Sequence, residues 1–277
     1  MMARIRKIFR SQKVITICSM VLGILIIIAI FAPWIAPNDP IAVNLVYKLQ
    51  PPSWEFPLGT DHLGRCNLSR ILYGTRISLG FAMLIFISSL SIGLILGTFS
   101  GYRGGWIDHA LMRFCDGILA FPNLILILGL VGIFGPGLKQ VIIAIMLVQW
   151  VYYARMFRGM VLSLKEHNFI AAAKISGSSQ WKIIKNHIVP NVLPPLVVMG
   201  TLEMGWAIMD ISAMSFLGLG VQAPTPEWGA MIHEGKSYIR TNPEIMLYPG
   251  LVIMLVIVTF NLLGEALSDR YSIKRRF

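Results

Sequence analysis

An all-α membrane protein with six transmembrane helices is the fold this sequence predicts, and three observations predict it. Only 13% of the 277 residues are charged while 56% are hydrophobic, whereas a soluble domain carries about 25% charged residues. Several uncharged runs approach the roughly 20 residues that cross a bilayer. The runs are continuous rather than alternating, which selects helices over a β-barrel. The formal net charge of +11, taken alone, would admit nucleic acid as a partner. Here the basic residues flank the apolar runs as membrane topology requires, so no nucleic-acid partner is expected.

Residues 1–13 carry Arg4, Arg6, Lys7, Arg10 and Lys13 and are expected on the cytoplasmic side. Residues 14–36 form the first span. It is longer than the apolar core of a signal peptide and lacks a small-residue cleavage site, so it is expected to remain uncleaved. Residues 37–76 make an extracytoplasmic connection rich in Pro and Gly, and 77–102 the second span. The chain turns at Arg103, Gly104 and Gly105, and the third span is 117–135, with Pro122 near its start. Gly135-Pro136-Gly137 is a turn signal. The fourth span, 140–154, is short for a bilayer. Residues 155–190 are polar and cytoplasmic, 191–216 are the fifth span, and 217–244 are an extracytoplasmic loop rich in Gly, Pro and Trp. Residues 245–264 are the sixth span, and 265–277 a cytoplasmic tail with Arg270, Lys274, Arg275 and Arg276. With the N-terminus inside, 17 of the 24 Lys and Arg fall in inner segments and 7 in outer ones, as the positive-inside rule asks. The whole reads as one transmembrane domain without tandem repeats.

The residues do not assemble a hydrolytic site. A phosphate-binding loop needs GxxxxGK[ST]; Gly229 to Ser237, GAMIHEGKS, has five residues between its glycines instead of four and falls in an outer loop. HExxH, GxSxG and clustered Cys/His sites do not occur. His62, His109, His167, His187 and His233 are scattered over both sides, and Cys18, Cys66 and Cys115 lie at three different depths and cannot pair. No catalytic residue, no metal site and no cofactor bound by this chain is expected.

Glu203 and Asp210 are different, because they sit inside an apolar span. Seven residues are about two helical turns, which puts both on one face. A charge at membrane depth costs about 2.5–3.5 kcal/mol and faces protein or a water-filled path. Two readings stand side by side. In one, the pair lines a translocation pathway that favours a cationic or amine-bearing solute. In the other, it hydrogen-bonds to neighbouring helices and sets packing.

The segment 155–190 is the longest basic, polar interval. Arg155, Arg158, Lys165, Lys174, Lys182 and Lys185 follow from topology alone. Topology does not account for Ile170-Ala171-Ala172-Ala173, then Gly177, then Trp181, Ile183, Ile184 and Ile188. Small residues let a second surface come close, and a glycine permits a sharp turn. The segment is therefore expected to be a short helix, a turn at Gly177 and a second helix, fitted to a groove on a soluble partner rather than left as a solvated loop.

Ala171-Ala172-Ala173, then Gly177 after three residues, then Ile188-Val189-Pro190, resemble the EAA loop of ABC importer permeases. The resemblance implies a pair of coupling helices that dock into ATPase subunits, with Ala171, Ala172, Ala173, Gly177, Trp181 and Pro190 as the ATPase-coupling residues. LGTDHLGRCNLSRILYGTRISLG at 58–80, SFLGLGVQAPTPEWGAMI at 215–232 and FNLLGEALSDR at 260–270 narrow the resemblance to the C-type permease subunit of dipeptide, oligopeptide and nickel importers, over residues 30–272. The run 201–232 is more similar to the nickel branch than to the peptide branches. The resemblance implies the type I ABC importer permease fold in a bacterial inner membrane, with both termini cytoplasmic and lipid around the spans. It implies a homologous B-type permease as heterodimer partner, two cytoplasmic ATPases that hold the ATP and Mg, and an extracytoplasmic solute-binding protein. The solute it implies is nickel ion or a metal chelate, with a dipeptide or oligopeptide as the alternative; a stand-alone secondary transporter or channel is the competing class. Three positions depart from the pattern: Ala171 stands for the signature glutamate, Val189 for the leucine of the closing LP, and Cys66 for the aspartate common in LGTDxxGRD. Cys66 is either a structural substitution or a reactive exposed thiol.

Overall fold

The structure is a computed structural model that describes the backbone of residues 2–274 and the side chains of residues 11–192 and 195–270. The side chains of Arg4, Arg6, Lys7 and Arg10 and of Lys274, Arg275 and Arg276 lie outside the described residues. The helices are α1 (Met2–Ile35), α2 (Asn67–Arg103), α3 (Gly105–Leu119), α4 (Asn123–Phe134), α5 (Leu138–Lys165), α6 (Asn168–Ile175), α7 (Gln180–Ile183), α8 (Val189–Phe216), α9 (Trp228–Gly235) and α10 (Glu244–Lys274). A π-helical turn, Ile184–Ile188, joins α7 to α8. Among the described residues there is no strand, only an isolated bridge between Thr60 and Cys66. Five helices are long and apolar enough to cross a membrane, six if α3 and α4 together count as one bent span.

The bounds differ from the apolar runs where charged residues find partners. The second helix starts at Asn67, ten residues before the expected span, because Arg70 is buried against acids instead of ending the helix. The helix of the fourth span, α5, runs on from Ala154 to Lys165, so residues 155–165 continue it as helix. Lys165 Nζ donates to the carbonyls of Tyr102 (2.7 Å) and Gly101 (3.3 Å) at the C-terminus of α2, where a cation meets the helix dipole. The third span expected over 117–135 is bent within: α3 and α4 meet at 92°. Pro122 has no N–H to continue the helix and disfavours helical backbone at Phe121. It then serves as the N-cap of α4.

The tightest seam joins α2 to α5, which run in the same direction. Gly93, Gly97 and Gly101 repeat every four residues on α2 and so share one face. A Cβ at Gly93 would strike Tyr153, one at Gly97 the carbonyl of Ala154, and one at Gly101 would lie 3.0 Å from the carbonyl of Arg158. Such a small-xxx-small stripe lets two backbones approach within a membrane, where apolar burial alone does not favour one helix pair over lipid. At the inner end of the seam Arg158 donates to Asp108 of α3 through Nε (2.6 Å) and Nη2 (2.7 Å), and Ser100 Oγ donates to the same carboxylate at 2.5 Å. One buried acid thereby ties α2, α3 and α5. The opposite faces of the bundle are closed by α8 against α10 and by α1 against α10 and α2.

The end of the bundle where α2 begins is locked by ions. Asp61 accepts from the backbone N–H of Leu63 (2.8 Å) and Arg65 (2.9 Å) and from Arg65 Nε (2.6 Å). Arg65 and Arg70 both donate to Glu234 of α9, at 2.5 and 2.9 Å. Asp61, Arg65 and Arg70 are buried, and Cys66 beside them is buried too, which removes the exposed-thiol reading. Glu227 caps α9 by accepting from Gly229 N (3.0 Å) and Ala230 N (2.9 Å), while Ser78 Oγ donates to it from α2 at 3.1 Å. Burial pushes the Glu227 carboxyl upward, and these hydrogen bonds pull it back. Trp228 fills the space beside Gly74 and donates through Nε1 to Ile71 O at 3.3 Å. The LGTDHLGR and PEWGA stretches are thus two halves of one clamp.

Two outcomes follow for stability. Gly97→Ala places a methyl on the α5 backbone and is expected to cost about 1–3 kcal/mol, seen as a lower thermal midpoint in detergent. Gly80→Ala on the same helix meets nothing within 4 Å and is expected to leave the midpoint unchanged. Glu234→Ala leaves two buried guanidinium groups to share Asp61 and is expected to cost about 3–5 kcal/mol, read by the same melt.

Candidate functional site

Two regions bring together the residues singled out in the sequence. The first is the segment after α5. Its helix, turn and helix are α6, Gly177 at φ 76°, and α7, which Ser179 caps by accepting from Lys182 N. Gly177 is required by its backbone, since a Cβ there would meet nothing. Ile170, Ala173, Ile183 and Ile188 are buried against Tyr102, Tyr153, Phe157 and Val161, the apolar cluster at this end of the α2–α5 seam. Ala171, Ala172, Gly177 and Pro190 are exposed, and so are Ile175 and Trp181, at 88% and 73% of their full surface. Ala173 is buried with the anchor, whereas Ala171 and Ala172 beside it are exposed. Trp181 borders an apolar cavity of about 590 Å³ with Leu94, Ile95, Phe99 and Tyr102 of α2.

The second region is the span of α8. Glu203 and Asp210 do share a face, with Trp206 between them, and all three line one cavity of about 290 Å³. The other walls come from α5, which supplies Gln149 and Tyr152, and from the break at Pro122, which brings Asn123 into reach. Asn123 Nδ2 donates to Asp210 Oδ2 at 3.1 Å and Gln149 Nε2 to the same oxygen at 3.2 Å. Tyr153 OH donates to Glu203 Oε2 at 3.4 Å. Trp206 and Tyr152 are exposed at the mouth, while Asp210 is only 6% exposed. Sequence reasoning missed Asn123 and Gln149. An uncharged amide inside the run VIIAIMLVQWV at 141–151 was the available signal, because an amide in an apolar span needs a hydrogen-bond partner.

Glu203 and Asp210 border an open cavity without a counter-ion, whereas Glu227, also held by neutral donors, is closed in by the cap of α9. Among the described residues, Asp61 and Glu234 pair with Arg65 and Arg70, and Asp108 pairs with Arg158. Glu203 and Asp210 are held by neutral donors alone. The packing reading accounts for the three hydrogen bonds; it does not account for a cavity left open beside them. Asp61, His62 and Glu234 offer ligand atoms within 4.8 Å of one another, but their carboxylates already bind two buried guanidinium groups, and a dication added there would be repelled. The near-phosphate-loop stretch is likewise no cradle, since Gly229 to Gly235 are helical in α9.

Residues 93–273 match the family described as binding-protein-dependent transport system inner membrane component, and residues 1–52 match the N-terminal TM domain of oligopeptide transport permease C. The chain is 42% identical over 259 residues to the nickel transport system permease protein NikC of Escherichia coli (strain K12), covering 94% of each chain. It is 41% identical over 263 residues to the dipeptide transport system permease protein DppC of Alkalihalophilus pseudofirmus, covering 95% of this chain and 86% of that one. It is 38% identical over 262 residues to the glutathione transport system permease protein GsiD of Pectobacterium atrosepticum, covering 94% and 87%. Among solved structures it is similar to a chain of the MetNI methionine ABC transporter in an inward-facing conformation. The TM-score is 0.56 at 20% identity, covering 74% of this chain and 96% of that one, which shows a shared fold. With family matches at both ends of the chain and relatives above 40% identity along nearly all of it, this protein belongs to the binding-protein-dependent inner-membrane permeases, in their dipeptide, oligopeptide and nickel C-subunit branch.

Proposed function

We propose that this chain is one half of the translocation pathway of an ATP-driven importer. A homologous permease supplies the other half, two cytoplasmic ATPases dock on α6 and α7, and an extracytoplasmic binding protein delivers the solute. The observation that carries this reading is the two-sided character of α6 and α7: Ile170, Ala173, Ile183 and Ile188 fix the segment to the bundle, while Ala171, Ala172, Ile175 and Gly177 are left exposed. Small residues with an almost fully exposed isoleucine among them support a surface that a partner covers. Ala171 lacks the charge of the usual glutamate, so docking rests on shape and apolar contact. Both termini are cytoplasmic in this reading, which the excess of Lys and Arg in the inner segments supports.

The proposed solute is nickel ion or a metal chelate, supported by the similarity to a nickel transport permease. A dipeptide is the second reading, supported by a dipeptide permease at nearly the same identity. Uptake of radiolabelled nickel against a labelled dipeptide, by the complete complex in proteoliposomes with its binding protein, separates the two. Transport by the chain alone, without ATP, would sink the importer reading itself.

The docking surface predicts its own mutants. Ala172→Glu puts a charge on the exposed patch, and ATP-driven uptake is expected to fall about tenfold or more, the equivalent of ~1.4 kcal/mol of docking. Gly177→Ala keeps the patch smooth but forces a Cβ onto left-handed backbone, a cost of about 1–2 kcal/mol, and a partial loss is expected. Uptake and ATPase stimulation equal to wild type in Ala172→Glu, with the complex intact on gel filtration, would remove the docking surface from α6.

A further inference from the structure

One residue that lines the α8 cavity carries an atom that the packing of this chain leaves unexplained. Gln149 is 91% buried, being only 9% exposed, yet its Oε1 has no hydrogen-bond partner. Its Nε2 donates to Asp210 Oδ2, and Asn123 Nδ2 donates to the same oxygen. Two amide donors therefore hold the carboxylate in place, and Gln149 itself lines the same cavity. A buried acceptor without a donor is costly, and in a functional site the cost is offset when a ligand arrives. Beside it lie Asp210 and Glu203, with no Lys or Arg paired to either among the described residues. The mouth carries Tyr152 and Trp206, and an aromatic face attracts a cation. A mouth opening onto two carboxylates cannot be sealed by lipid, so this face of α5 and α8 meets water or another protein.

We infer that Asp210, Gln149 and Glu203 form a transit-binding site for a cationic group that also donates hydrogen bonds. The ligand chemistry is a positive charge with several N–H or O–H donors directed outward. A hydrated divalent metal ion and a protonated primary amine both have it. Asp210 and Glu203 supply the missing counter-charge, Gln149 Oε1 accepts one donor, and Asn123 is a positioning residue that fixes the Asp210 carboxylate. Bulk apolar solutes and neutral analogues are disfavoured because they would leave Gln149 Oε1 without a donor and both acids without a counter-charge. The inference rests on the importer reading and goes beyond it by assigning solute selection to this subunit as well as to the binding protein.

The test uses the complete complex in proteoliposomes and three probes: radiolabelled Ni²⁺, labelled alanyl-alanine, and its N-acetylated form, which has no ammonium group. In Asp210→Asn and in Gln149→Leu, uptake of a cationic probe relative to the N-acetyl probe is expected to fall about tenfold, the loss of roughly one charge-assisted hydrogen bond. Asn123→Leu, at an exposed helix end that leaves the packed core intact, is expected to give a smaller fall of the same sign, so the inference stays testable if the buried variants do not assemble. A fall confined to Ni²⁺ assigns the site to a hydrated metal, and a fall confined to alanyl-alanine assigns it to an ammonium group. Equal uptake of every probe in all assembled variants, or a loss that strikes the N-acetyl probe equally, overturns the site and leaves the importer reading standing. No ATP-driven uptake by the wild-type complex overturns the importer reading, and the site falls with it.

Discussion

The close approach of α2 and α5 is the contact on which the rest of the molecule depends. Without side chains at Gly93, Gly97 and Gly101, the α5 backbone at Ala154 and Arg158 rests directly on α2. That fixes the height and rotation of α5, and α5 supplies a part to each region considered above. Gln149 and Tyr152 line the cavity, Tyr153 reaches Glu203, Arg158 binds Asp108, and Lys165 caps α2. Dispersion and backbone proximity set this seam, since neither helix gains much from leaving lipid for its partner. A larger residue anywhere along the glycine stripe would therefore displace several functional side chains at once.

Charge is handled in two ways within the one chain. Where α2 meets the loop preceding it and α9, and where α3 meets α5, Asp61, Glu234 and Asp108 are matched by buried or half-buried arginines. Removing one partner from such a pair is costly because the other is left alone in a poor solvent. Inside the span of α8 the acids are matched only by amides and a phenol. The first arrangement suits a fixed strut, since every charge is already satisfied. The second is unsatisfied in a manner that only something from outside the chain could complete.

Much of this was legible in the residues, and the parts that were not share a cause. Long apolar runs announced the spans, and Gly177 announced the turn between α6 and α7. The ends of α2 and α5 were hidden because Arg70, Arg155 and Arg158 look like span terminators, whereas each is absorbed by an acid distant in sequence. The bend at Pro122 was visible as a proline but not as a right angle, since the angle depends on what α4 packs against. Asn123 and Gln149 lie 26 residues apart and meet Asp210 only because of that bend and the glycine seam. Periodicity along one chain cannot report a meeting of three helices. A motif groups residues by position, while a short helix divides Ala171, Ala172 and Ala173 between two faces.

The geometry also constrains how the two ends could communicate. The π turn Ile184–Ile188 leads without a break into α8, and α8 bears Glu203 and Asp210. The apolar cluster that anchors α6 and α7 includes Tyr153 and Phe157 of α5, one turn or so from Gln149. A rigid displacement of the docking segment therefore has two routes to the cavity, one along α8 to the carboxylates and one along α5 to the amide that holds Asp210. The walls of the cavity are these same two helices. A change in their relative rotation of only a fraction of a turn would part Gln149 from Asp210, because a hydrogen bond at 3.2 Å does not survive much lengthening. In the proposed site, tight holding of a cation and its release would be two positions of one helix pair, and the proposed docking segment is the part of the chain joined to both helices.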